Sequence, residues 1–304
     1  MTTTRDLPPA TTREHLGGQA LAHGVMIRGR NVAGVAARTS EGGVRTRLLI
    51  ASPSPLARVP VLRGLTALTG TLNLGAEAAA WASNPASREH STQAGGTSAS
   101  SLLFALALWL VLPAGAAELA GPWWGRAIVE TVVRIALLVG YLAIAARMGA
   151  MQRTFQYHAA EHMAIRGFEL GRQLTVPSLR RLESAHPRCG TSFLVALIIV
   201  SAVLFPLLGV RPGWWRVASR LVLAPLAIGL AAELVRFEAR LDGSRPGRAL
   251  VAANLALQRL TTRQPDDEQL QVAIAALDTC LEAEGTPRTS GQRIDAIGRP
   301  TRRV

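Results

Sequence analysis

What most constrains this chain is a set of apolar stretches between residues 101 and 240 that run almost without charge. A stretch of about 20 apolar residues matches the hydrocarbon thickness of a bilayer. Four approach that length: about Ser101 to Leu119, Ala127 to Arg147, Thr191 to Val210 and Val217 to Val235. The third is uncharged throughout. The second carries Glu130 and Arg134 one turn apart, in the order that suits an i,i+4 pair. The fourth carries Arg220 near one end and Glu233 near the other. Buried core helices are the competing reading of the second and fourth. Composition favours the membrane, since 49% of residues are hydrophobic and only 17% are charged, against about 25% in an average soluble domain.

The connections between these stretches suggest a topology. Trp123-Trp124 and Trp214-Trp215 sit in short ones, and tryptophan favours the membrane–water interface. Four crossings put both pairs on one side. Segment 150–190 holds Arg153, Arg166, Arg172, Arg180, Arg181 and Arg188, and an excess of cations marks a cytoplasmic connection. That segment and both termini are therefore expected in the cytoplasm, as parts of a multi-pass cell-membrane protein. Arg211, Arg216 and Arg220 on the outer side oppose this orientation. The net charge is +13 and every basic residue is arginine. Because the arginines flank apolar runs and do not interleave with aromatics, they point to the lipid bilayer and away from nucleic acid. Cys189 and Cys280 form no disulfide framework and suit a reducing compartment.

The rest of the chain divides by composition. Residues 1–15 are polar and expected to be disordered. Residues 16–58 form a small β-rich cytoplasmic element, in which Val32–Arg38 and Val44–Ile50 read as a hairpin around Ser40-Glu41-Gly42-Gly43. Residues 59–82 lack charge only between Arg63 and Glu77, too short a run for a crossing, and read as an interfacial or re-entrant helix. Residues 83–100 are rich in Ser, Ala, Gly and Thr and read as a linker. Segment 101–240 is the membrane domain. Segment 241–283 is helical: Pro246 to Thr262 is amphipathic, and Pro265-Asp266-Asp267-Glu268 starts a second helix, with acids in its first turn and an apolar stripe of Leu270, Ile274, Leu277 and Leu281. Residues 284–304 are a polar, basic tail. The expected fold is mostly α: about four transmembrane helices, the N-terminal β element and cytoplasmic C-terminal helices.

The chemistry concentrates in Tyr157-His158-Ala159-Ala160-Glu161-His162. On a helix, His158 and His162 share a face and can bind one divalent metal ion of the zinc type. Glu161 beside them can serve as general base toward water. The order His-x-x-Glu-His is that of the inverted zincins. Two ordinary interfacial histidines would give the same pattern. A third ligand is needed. Glu233 lies downstream, as the carboxylate of inverted zincins does. His186 and Cys189 are spaced i,i+3 just before the third apolar stretch, and His23 is a further alternative. Arg188 could hold an anionic substrate or simply obey the charge rule for cytoplasmic segments.

These residues together resemble the YqhQ-like bacterial membrane proteins, a family of unknown function labelled a predicted metal-dependent enzyme. The resemblance covers roughly residues 16–283. It rests on Gly17-Gly18-Gln19-Ala20 with Gly24-Val25-Met26 and Arg28-Gly29, and on Tyr157-His158-x-Ala160-Glu161-His162. It continues through His186-x-Arg188-Cys189-Gly190-Thr191-Ser192-Phe193, Glu233, Gln258-x-Leu260-Thr261-Thr262 and Pro265-x-Asp267-Glu268-Gln269. Two positions depart from the family's pattern: His23 stands where it usually has Glu, and Met163 where it usually has Lys. The resemblance implies a bacterial membrane protein with a shared polar site.

Two functions fit the residues. One is a metal-dependent hydrolase at the cytoplasmic membrane face. The other is a non-enzymatic membrane scaffold or partner-binding module in which the His/Glu cluster is structural. The residues name no substrate, no protein partner and no oligomeric state.

Overall fold

The computed structural model describes residues 16–39, 41–51, 55–83, 107–186, 189–208, 213–238, 241 and 244–285. The expected disordered ends and most of the expected linker lie outside this set, as do residues 101–106 at the start of the first apolar stretch.

The strands β1 (Gly17–Leu21), β2 (Gly24–Arg28), β3 (Val32–Arg38) and β4 (Val44–Ile50) form an antiparallel meander in chain order. The expected hairpin is β3–β4, with Arg38 opposite Val44. Its turn needs Gly42, whose φ of 81° is left-handed, where glycine has no steric penalty. Thr39 closes the turn from both sides, because its N–H donates to the Gly43 carbonyl and its Oγ1 accepts from the Gly43 N–H at 2.9 Å.

The helices of ten residues or more are α1 (Leu62–Ser83), α2 (Trp123–Ala145), α3 (Gly149–Glu169), α4 (Thr191–Leu204), α5 (Gly213–Glu238), α6 (Arg245–Thr261) and α7 (Asp267–Ala283). The sheet is covered on both faces. Val25, Ile27 and Ala36 pack against α3 and α7. Met26, Ala33 and Val35 pack against Ala78, Trp81 and Ala82 of α1. Double coverage explains why β2 and β3 are nearly continuous apolar runs with no polar alternation.

α7 follows its sequence closely. Asp266 caps it by accepting from the Gln269 N–H at 2.7 Å, and the Gln269 side chain accepts from the Asp266 N–H in return. Leu270, Ile274, Leu277 and Leu281 are fully buried. α6 takes another course and packs on α4 and α2.

The expected cytoplasmic 150–190 loop is helical around the histidine motif, as the spacing of that motif requires. Its first half is α3, a 21-residue helix built into the β/α unit, because its small and apolar residues are buried from Phe155 to Phe168. α1 forms where the interfacial helix is expected, and its most buried positions are mainly small residues. Leu62 and Leu72 are exposed, while Gly64, Gly75, Ala78 and Ala82 are buried. Small side chains let α1 approach both its neighbours, Gly64 lying against Ala232 of α5 and Gly75 against Gln19 of β1.

Among the described residues two helices are long and apolar enough to cross a membrane, α2 and residues 217–238 of α5, where four were expected. α4 has 14 residues, about 21 Å at 1.5 Å per residue, against a hydrocarbon core of about 30 Å. Pro206, just beyond it, has no N–H to continue the ladder, and the chain turns into a short 3₁₀ segment, Pro206–Leu208. Residues 107–119 are likewise broken into a π turn, a five-residue helix containing Pro113 and a 3₁₀ turn.

Candidate metal centre

α3 begins after only Ala146, Arg147 and Met148 separate it from α2. One of its faces carries His158 and His162. The rings lie edge to face with centroids 4.3 Å apart. Residues from two other parts of the chain lie against them: Ser184, His186 and Cys189 ahead of α4, and Thr261 at the C-terminal end of α6.

Hydrogen bonding determines which nitrogen each ring offers. His158 Nδ1 is 2.8 Å from the Thr261 carbonyl, and His162 Nδ1 is 2.6 Å from the Ser184 carbonyl. A carbonyl only accepts, so each Nδ1 carries a proton, and in the neutral ring the lone pair is then on Nε2. His158 Nε2 faces the Cys189 sulfur at 3.2 Å. One ligand atom each from His158, His162 and Cys189 lies within 4.8 Å of the others. Burial lowers the pKa of His162 and keeps its ring neutral. Two imidazoles and one cysteine sulfur are a borderline-soft donor set that suits zinc. Carbonyl acceptors behind ligating histidines are the usual way of fixing their orientation.

Glu161 is also buried, packed against Gly18 of β1, where any side chain would collide with its carboxylate. Burial pushes its carboxyl up to about 7, against a smaller downward pull from His158 and His186.

The remaining sequence candidates are placed differently. His186 stands beside His162, ring centroids 5.7 Å apart, but its Nε2 faces Glu169 Oε2 at 3.0 Å. Glu233 binds Arg63, whose Nε donates to it at 2.6 Å, and it accepts weakly from the Val61 N–H at the start of α1. That arginine holds the carboxylate, and the atom that lies with the two histidines in the group able to hold an ion is the Cys189 sulfur. Tyr157 is buried in the core that α3 shares with α7 and the sheet. His23 is exposed in the β1–β2 turn. Arg188 lies outside the described residues. The Thr261 and Ser184 carbonyls had no signal in the sequence, because every residue has one. Gln258 did have a signal, as part of a motif, but with no role attached.

Comparison with known proteins gives a family and no activity. The chain is 29% identical to the protein named "Uncharacterized protein YqhQ" of Bacillus subtilis (strain 168), an alignment that covers 91% of this chain and 94% of that protein. No solved structure matches. A family model matches residues 59–283, the helices and the histidine site included, and the chain belongs to that family, "Protein of unknown function (DUF1385)".

Proposed function

We propose that this protein is an integral membrane, metal-dependent hydrolase whose site faces the cytoplasm. The observation that carries this reading is the paired orientation of the histidines: both give Nδ1–H to a backbone carbonyl and turn Nε2 toward the Cys189 sulfur. His158, His162 and Cys189 hold the ion. Three protein ligands leave a position open, as catalytic zinc sites do. A bound divalent ion supplies Lewis-acid polarisation of a carbonyl or phosphoryl oxygen. Glu161 takes the proton of the attacking water on its carboxylate, and its burial beside Gly18 excludes bulk water from that proton transfer.

Membrane integration is supported by the outward apolar surface of α2, where Ile128, Val132, Ile135 and Ile144 are exposed. A surface of this kind needs an apolar cover. The pairing of Glu130 with Arg220, Nη2 to Oε2 at 2.8 Å, supports a common level for the starts of α2 and α5, and so for both tryptophan pairs. With α4 and residues 107–119 as the shorter members of a four-helix set, α3, the termini and the metal centre lie on the cytoplasmic side.

A second reading also has an observation behind it. The His158–Cys189 contact at 3.2 Å is itself a sulfur–imidazole hydrogen bond, and in a non-enzymatic scaffold it would tie α3 to α4 without an ion. Elemental analysis of the full-length protein purified in detergent separates the two. The hydrolase reading expects about one divalent ion per chain, lost in a His158→Ala, His162→Ala double variant. Wild-type protein from zinc-supplemented cells that carries no metal would leave the scaffold standing.

A further inference from the structure

Among the described residues between the one-turn helix Val176–Leu179 and α4 there is no helix or strand. Side chains of α3 hold this stretch at the Ser184 and Ala185 carbonyls, and one fully buried residue of α6 holds it at His186. Gln258 Oε1 accepts from the His186 N–H at 2.9 Å. Its Nε2 donates to the His186 carbonyl at 2.8 Å and to Asn254 Oδ1 at 3.3 Å. Asn254 Oδ1 also accepts from Thr191 Oγ1, at the start of α4, at 2.5 Å. Gln258 and Asn254 are both fully buried. The two amides therefore grip the segment at His186 and at Thr191, on either side of Cys189. One turn further along α6, the Thr261 carbonyl holds His158.

We infer that Gln258 is a positioning residue of the metal centre, binding the backbone of His186 on both its polar faces so that the Cys189 sulfur is held against His158 Nε2. The inference rests on the proposed metal site and assigns a role to a helix that supplies none of the ligands. A glutamine that bonds both the N–H and the carbonyl of one residue ties down the peptide groups on either side of its Cα and so fixes that residue's backbone in position and orientation. A buried Gln258 that lost its partners would leave polar groups unsatisfied, so the grip is self-enforcing.

The test uses full-length protein in detergent, stripped with chelator and titrated with Co²⁺. A thiolate-to-cobalt charge-transfer band reports Cys189 ligation directly. Groups that orient metal ligands typically change affinity about 10–100-fold when removed, so Gln258→Leu is expected to weaken Co²⁺ binding by about that factor and to diminish the thiolate band. Cys189→Ser should abolish the band. Thr191→Val, a milder loss at the other end of the grip, should move both readouts the same way by less, and it carries the test if Gln258→Leu does not fold. Iodoacetamide labelling of the metal-free protein gives an independent readout: Cys189 should react several-fold faster in Gln258→Leu than in wild type, with buried Cys280 as an internal control. A folded Gln258→Leu with wild-type affinity, band and labelling overturns the inference while leaving the metal site intact. Absence of the cobalt band from wild type overturns the metal reading instead. The grip is then judged by labelling alone, and an unchanged Cys189 rate rejects it.

Discussion

A histidine that gives its Nδ1 proton to a carbonyl has settled which nitrogen it can offer to anything else. His158 and His162 both do so, and that distinguishes them from two imidazoles that merely share a helix face. Their spacing was legible in the sequence, because i and i+4 on any helix give it. Their partner was legible only as one of several candidates, beside Glu233, His186 and His23. Cys189 arrives on a segment whose path depends on Gln258 and Asn254, and no pattern of apolar residues encodes such a path. Glu161→Gln keeps the size of the side chain and should retain wild-type metal content. General-base assistance is typically worth about 10²–10⁴-fold in rate, so the same variant should fail to complement a null phenotype. Metal loss equal to that of His158→Ala would instead make Glu161 a ligand. Cys280 behaves in the opposite way to a site cysteine. Burial pushes its thiol up to about 11 from 9.0. The unfolded chain then releases this proton first as pH rises. The contribution to stability is complete below about pH 9 and is lost as pH climbs toward 11. Two pKa units correspond to at most about 2.7 kcal/mol. Unfolding midpoints measured across this range should fall more steeply for wild type than for Cys280→Ala, and equal slopes would show that the thiol does not contribute.

At the scale of elements, periodicity was a good guide where one face of a helix is large and apolar and a poor one where contact is made by small residues. α7 was legible down to its cap. Removing that cap with Asp266→Ala should cost about 1 kcal/mol, seen as a lower thermal midpoint without loss of helix elsewhere. α1 was legible as a helix but not in its orientation, because its leucines drew attention away from Gly64, Gly75, Ala78 and Ala82. A similar close approach fixes α7 on the sheet. Gly34 of β3 lies against the Ala276 carbonyl and the Cys280 amide, and a Cβ there would meet backbone, which cannot yield as a flexible side chain can. Gly34→Ala should therefore destabilise by about 1–3 kcal/mol, the range for overpacking. The loss should appear with Tyr157 and Leu277 becoming more accessible, since both belong to the core that α7 closes. Unchanged stability would mean that α7 can slide on the sheet.

For the whole molecule, the sequence marked Glu130 and Arg134 as a pair and missed that Arg220, distant in sequence, completes it. Arg220 donates to Glu130 through Nε at 2.9 Å and Nη2 at 2.8 Å, and both guanidinium groups lie about 5 Å from the centre of the Phe205 ring. Glu130→Ala strands two buried cations, a lesion that typically costs about 3–5 kcal/mol. It should lower the melting temperature in detergent while the metal content per folded chain stays at the wild-type value. Metal lost from a well-folded variant would show that the cluster reaches the metal centre. Reporter fusions after Trp124 and Trp215 should read as external, and those after Arg172 and Arg263 as cytoplasmic; an external reading at Arg172 would move the metal centre to the other side of the membrane. The contact between β3 and α7 has a temporal consequence as well. Gly34 is synthesised well ahead of Ala276. At about 5–20 residues per second, the meander is complete on the order of ten seconds or more before the helix that covers one of its faces exists. The apolar helices are made within that interval. The strands must therefore wait, with one face only partly covered, for α7, and a message truncated just before Asp267 would yield β1–β4 and no finished core.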